Sequence, residues 1–288
     1  MPNEEESAFA HAPVPPDATA AYGELPDQLV DFYRPGRLLA GRPAPLVVLF
    51  HGGAWRSAYD RAHISPLAAF LARRHGFAVA SVEYRRGAEG GGPLAGRWPD
   101  TLDDAAAATE AVPALAVAAL GEDAVDPRRV VLAGHSAGGH LALWAAARHV
   151  LPSDSRWHRT TPPPLRGVIA LAPVADLTSA RALGVCSDAA VQFLGGPEPE
   201  SALGLFEARL PDADPAVLVP TGIATTIVQG ATDNVVPPQV AEAYADASAK
   251  AGQEIQLTVL DGVGHFPLID PSAHAAVVVA EEITQLAW

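Results

Sequence analysis

Cysteine is nearly absent: Cys186 is the only one in 288 residues. An intrachain disulfide framework is therefore excluded, and a thiolate metal site has no second cysteine ligand. Basic side chains are scarce as well. Nineteen Lys and Arg stand against 33 Asp and Glu, a formal net charge of −14. Such a surface repels phosphate backbones and anionic lipid, which argues against nucleic-acid and membrane partners. Long apolar runs are missing too, and without roughly 18 consecutive apolar residues no membrane span is expected. The stretch from Met1 to Pro16 carries Glu4-Glu5-Glu6 but neither a basic start nor an apolar segment, so it does not read as a signal peptide. A soluble, cytoplasmic protein is the expectation, with residues 1–20 as a mobile tail.

Apolar content is what the chain has in quantity. At 49% hydrophobic residues it can bury a large core, which suits one domain over residues 21–288 better than two small ones. Short runs rich in Val, Ile and Leu recur at 45–50, 77–84, 129–133, 167–172, 225–230 and 255–260. They are continuous rather than alternating, as in strands buried on both faces. Helical stretches lie between and after them at 61–75, 100–120, 137–150, 237–251 and 271–286. Pro237 and Gly252 bracket one of these as start and stop. The alternation predicts an α/β fold, a mostly parallel central sheet with helices on both faces. Segment 28–34 is expected to add an antiparallel edge strand.

Two stretches break the alternation. Residues 87–97 hold five glycines and read as a mobile loop. Their spacing, with no helix opening directly behind the last glycine, excludes a phosphate cradle. Residues 178–220 combine Ser, Pro, Gly and acids with helical pieces at 188–194 and 202–210. An insertion of this kind between two strands is expected to be a small lid or cap over a binding site.

Chemistry concentrates at strand ends. Gly134-His135-Ser136-Ala137-Gly138 follows the run that ends at Ala133, so a G-x-S-x-G pattern sits where strand turns into helix. A sharp bend there needs small neighbours and holds the central side chain out at its tip, making Ser136 a candidate nucleophile. A serine hydroxyl needs a base, and the base needs an orienting carboxylate. Asp233 follows one later strand and His265 the next, at the carboxyl ends where such sheets gather functional groups. Asp176 is the alternative acid; His274 falls inside the last helical stretch. The developing oxyanion needs fixed donors. Ala137 offers an amide at a helix start. The loop His51-Gly52-Gly53-Ala54-Trp55 offers those of Gly53 and Ala54, with Gly52 in reserve. His51 is read as a brace for that loop, and His135 and His140 as structural. Trp55 either binds substrate or covers the loop.

HGGAW at 51–55, GHSAGGH at 134–140, ATDNVVP at 231–237 and GVGHF at 262–266 together resemble the α/β-hydrolase superfamily. The order serine, acid, histidine is that family's order. More narrowly, the motifs look like an esterase branch that includes kynurenine formamidases and small-ester hydrolases related to hormone-sensitive lipases. Tyr22-Gly23, Asp31 to Pro35 and Asp126 to Arg129 are also similar to that branch, so the resemblance spans about residues 20–288. It implies an α/β-hydrolase fold and a serine hydrolase acting on a carboxylic ester or aryl formamide through an acyl-enzyme, without cofactor or metal. A peptidase, an acyltransferase or a non-catalytic binding protein on the same fold are the alternatives, and a homodimer is left open. Ala54 stands where the lipase-like members often have a third glycine and formamidase-like members carry a larger residue. Residues 178–220 match no motif, so no substrate contacts carry over to them.

Overall fold

The computed structural model describes residues 3–38, 41–87, 92–196 and 199–288. Of the expected features, residues 1–2 of the tail, 88–91 of the glycine-rich loop and 197–198 of the lid lie outside the described residues.

Eight strands form one sheet among the described residues: β1 (Ala18–Ala21), β2 (Leu29–Tyr33), β3 (Ala44–Phe50), β4 (Ala78–Val82), β5 (Val125–His135), β6 (Gly167–Leu171), β7 (Thr225–Gly230) and β8 (Gln256–Leu260). Their spatial order is β1-β2-β4-β3-β5-β6-β7-β8. β2 runs antiparallel to both β1 and β4, and the pairings from β4 through β3 to β8 are parallel. The expected antiparallel strand is thus present as β2, but β1 rather than β2 forms the edge. At the other edge, β8 is only half-buried and exposes Val259, because no described strand pairs beyond it.

The continuous apolar runs divide between two cores because successive side chains point to opposite faces. Leu46, Val48, Phe50, Val130 and Leu132 face one core. There they meet α3 (Asp100–Leu120), α4 (Ala137–Ala146) and α8 (Pro238–Lys250) through Leu102, Leu141, Trp144 and Tyr244. Val47, Leu49, Val131 and Ala133 face the other, against Leu67 and Leu71 of α2 (Ser65–His75) and Ala276 and Ile283 of α9 (His274–Ala287). No helix among the described residues is long and apolar enough to cross a membrane.

The segment read as a free tail lies against the body instead. α1 (Glu4–Phe9) is capped by the Asn3 side chain and carries three acids in its first turn, both favourable at a helix start. Ser7 Oγ donates to Asp270 Oδ2 at 2.6 Å, His11 Nε2 meets Asp270 Oδ1 at 2.8 Å, and Gly264 N donates to Glu4 Oε1 at 3.1 Å. Those anchors are some 260 residues away in sequence, which is why local composition did not announce them.

Between β6 and β7 stand α5 (Leu177–Ala182), α6 (Ala189–Gly195) and α7 (Pro199–Ala213). Asp214 closes this insertion at its base, accepting from Leu177 N at 3.2 Å and Ala216 N at 3.1 Å. Asp176, the alternative acid, is spent as the cap of α5 and accepts from Ser179 N at 2.7 Å. Burial, together with the Asp176 carboxylate, pushes the Asp214 carboxyl up to about 7. An unfolded aspartate titrates near 3.9. The folded state therefore binds this proton more tightly, and the stability involved is present below about pH 4 and lost as pH rises to about 7. Asp214→Asn, which cannot ionise, should flatten that loss. Thermal melts from pH 4 to pH 8 should show a smaller fall in Tm for the variant than for the parent, and parallel curves would contradict the assignment.

Candidate active site

The serine sits on a strained bend. Ser136 has φ 56° and ψ −119°, between the last residue of β5 and the first of α4. This sharp turn brings the start of α4 against the sheet. A Cβ on Gly138 would lie 2.2 Å from the Phe50 carbonyl oxygen, and one on Gly134 would lie 2.1 Å from that of Gly138. Those approaches explain the small residues on both sides of the serine. Gly52 serves the same packing: a Cβ there would stand 2.9 Å from His135 Nδ1 and 3.3 Å from Ser136 Cβ.

Asp233 and His265 are brought together from the ends of β7 and β8. His265 Nδ1 lies 2.7 Å from Asp233 Oδ2, and both residues are buried. Asp233 is itself fixed from several directions. Val235 N and Val236 N each donate to Oδ1 at 2.9 Å, and Gln229 Nε2 donates to Oδ2 at 3.1 Å. His135 Nε2 stands 3.1 Å from the His265 carbonyl and its ring lies 4.4 Å from the His265 ring. Burial, reinforced by His265, holds the His135 pKa well below the ordinary histidine value, so that ring is a neutral donor to the carbonyl. Among the described residues no hydrogen bond joins Ser136 Oγ to the His265 ring. The two line the same cavity, and such contacts often tighten only when substrate is bound.

That cavity has a volume of about 220 Å³. Gly53, Ala54, Ser136 and His265 border it, together with His135, a residue read from sequence as structural. The loop carries three consecutive positive φ values, 108° at Gly53, 52° at Ala54 and 53° at Trp55. No acceptor among the described residues takes up the backbone N–H of Gly53, Ala54 or Ala137. Unused amides beside a nucleophile are what an oxyanion requires.

His51 braces this loop as expected. Its ring stacks on Tyr84 with centroids 4.3 Å apart, Nδ1 lies 2.7 Å from Gly52 O and Nε2 2.9 Å from Glu83 Oε1. Burial alone would push the Glu83 carboxyl up. His51, Arg86 and the Arg61 amide outweigh it and hold that carboxyl at about 2, so a fixed anion sits behind the loop. His140 is structural: it is fully buried, its Nε2 is 2.9 Å from Ala213 O, and burial holds its pKa at about 4.

Trp55 does not line the cavity. It is 1% exposed and stacks on Phe193 of α6, centroids 4.7 Å apart, with His140 edge-on at 5.2 Å. The reading of Trp55 as a substrate-binding residue is thereby corrected. The left-handed backbone at 54–55 carries the indole into the protein, where it joins the donor loop to the insertion.

Several cavity residues were missed from sequence: Glu5 and Phe9 of α1, Arg56, Tyr59, His63 and, from the insertion, Cys186. Phe9 packs on Tyr59, His63 and Phe266 with centroids 5.5 to 5.8 Å apart. Only the continuity of 56–63 with the HGGAW motif could have pointed to part of this set.

With this geometry in hand, residues 47–268 match the family described as alpha/beta hydrolase fold. An acetyl-hydrolase of Streptomyces hygroscopicus is 28% identical over 263 residues, covering 87% of this chain and 75% of that protein. The probable carboxylic ester hydrolase LipM of Mycobacterium tuberculosis is 32% identical over 143 residues, 49% of this chain and 30% of the relative. A probable isoprenylcysteine alpha-carbonyl methylesterase of Oryza sativa subsp. japonica is 27% identical over 280 residues, 92% of this chain and 61% of the relative. Among solved structures, a truncated carbohydrate esterase from gut microbiota superposes with TM-score 0.72 at 20% identity, covering 96% of this chain and 99% of that one. The butyrate-bound esterase Est2 of Thermogutta terrifontis superposes with TM-score 0.66 at 23% identity, covering 93% and 92%. At these identities the structural likeness establishes the fold.

Proposed function

Because the chain belongs to the alpha/beta hydrolase fold family, we propose that it is a serine hydrolase cleaving a small or medium carboxylic ester through an acyl-enzyme. The observation that carries this reading is His265, held 2.7 Å from Asp233 and opening on the same cavity as the strained Ser136. Ser136 Oγ attacks the carbonyl carbon while His265 Nε2 takes its proton. The amides of Gly53, Ala54 and Ala137 hold the oxyanion, and Asp233 orients the ring and stabilises the imidazolium. His265 then returns the proton to the departing alcohol. A water deprotonated by the same ring releases the acid and restores Ser136.

A cavity of about 220 Å³ is smaller than the roughly 300–1,000 Å³ typical of drug-sized ligand pockets, which favours short acyl groups. An aryl formamide is the second substrate class. It carries the smallest acyl group, and Ala54 in place of a third glycine leans toward it. Assaying N-formylkynurenine beside p-nitrophenyl esters of graded chain length tests both. A steep fall in kcat/KM beyond short chains is expected for the ester reading, and a large preference for the formamide would move the assignment to that class. Absence of turnover on all of them, with no labelling of Ser136 by a fluorophosphonate, would overturn it.

A further inference from the structure

The cavity beside Ser136 is bordered by a cation that no acid neutralises among the described residues. Arg56 lines it and is half-buried. Its Nε donates to Pro93 O at 2.9 Å and its Nη2 to Cys186 O at 2.7 Å, while Nη1 has no acceptor among the described residues. Both partners are neutral carbonyls, and no carboxylate among the described residues comes within 4 Å. The contrast with neighbouring segments is sharp. Arg61 meets Asp31 at 2.7 Å, Arg85 meets Asp104 at 2.8 Å, and Arg86 pairs with Glu83. A chain with 33 acids against 19 basic residues leaves this guanidinium without a described acidic partner where substrate must enter.

Two other nitrogen bases around the cavity, His63 and His135, do not carry that charge. Burial and His51 hold the His63 pKa at about 4, and His135 is held lower than the ordinary value by its burial. The positive field also reaches the cavity wall. Burial pushes the Cys186 thiol up, and Arg56 acts against that shift. Glu5, the carboxylate among the lining residues, is exposed at the rim and forms no ion pair with Arg56.

We infer that the substrate bears a carboxylate of its own, separate from the scissile carbonyl, and that Arg56 binds it. A guanidinium fork matches a carboxylate in shape and charge, and one fork suits one anionic group. The inference rests on the serine-hydrolase reading and narrows it to esters or amides with an anionic acyl or leaving group. Arg56 is then the residue that sets specificity.

Two matched pairs test it, with spontaneous hydrolysis subtracted. Phenyl acetate against 3-acetoxybenzoate places the charge on the leaving group. Phenyl hexanoate against the monophenyl ester of adipic acid places it on the acyl group. In at least one pair the wild-type kcat/KM should favour the anionic member by about tenfold or more, as a charge-assisted hydrogen bond implies. Arg56→Gln should abolish that preference, and Arg56→Lys, which keeps the charge, should retain part of it. An equal decline on neutral and anionic esters in both variants, with the preference intact, would mark Arg56 as a mere tie between loops and overturn the inference. So would turnover of the neutral esters by the wild type with no charge preference in either pair, which would leave the serine-hydrolase reading standing. No turnover of any ester would remove both.

Discussion

Ser136→Ala is expected to fold as the parent does and to lose turnover of a short p-nitrophenyl ester by on the order of 10⁶ in kcat. The two halves of that expectation come from different observations. Ser136 Oγ makes no hydrogen bond to another group among the described residues, so removing it orphans no partner. Alanine keeps the Cβ that already fits the bend at φ 56°. Removing a hydroxyl that leaves no polar group unpaired should cost about 1 kcal/mol or less. The chemistry has no equivalent substitute: Gly134, Ala137 and Gly138 offer no nucleophile, His135 Nε2 is engaged by the His265 carbonyl, and burial pushes the Cys186 thiol up, away from the thiolate. A thermal melt within about 2 °C of the parent, together with turnover at the solvent background, is the predicted pair of results. An alanine variant that keeps a hundredth of the parental rate would show that another group attacks.

The elbow was legible because its geometry is written in residue size. Only small residues tolerate backbone oxygens 2.1 to 2.2 Å from a would-be Cβ, so the glycines at 134 and 138 announce the bend. Asp233 and His265 were legible for another reason. Buried parallel strands read as continuous apolar runs, and the residues just past them fall on one side of the sheet. Side-chain direction was not legible. Whether Trp55 faces the cavity or the core depends on the positive φ values at 53–55, which no pattern of apolar residues encodes. Docking of α1 was equally hidden. The Asn3 cap and the acids behind it favour a helix, but its place over the cavity depends on Asp270 and Gly264 at the far end of the chain. β1, four residues long with alternate half-burial, lacks the apolar run that marks the inner strands.

Asp233→Asn separates an orienting carboxylate from a plain turn residue. Asn is as good as Asp in a turn of this kind, so a structural role alone predicts near-parental activity. The hydrogen bonds predict otherwise. Val235 N and Val236 N both donate to Oδ1 of Asp233, so the amide oxygen of the substituted side chain must take that position. The NH₂ group then occupies the place of Oδ2, facing His265 Nδ1 at a site where the carboxylate accepts at 2.7 Å. Two donors cannot share that contact. The imidazole therefore shifts its proton to Nε2, and the nitrogen that should deprotonate Ser136 becomes a donor. Loss of the correct tautomer and of imidazolium stabilisation lowers kcat by about 10⁴ in triads of this kind. KM should move little, since Asp233 is 5% exposed and is not among the residues that border the cavity. Labelling by a fluorophosphonate should slow in parallel, because it needs the same base. Parental kcat in the variant would reduce Asp233 to a loop residue and leave His265 without its orienting partner.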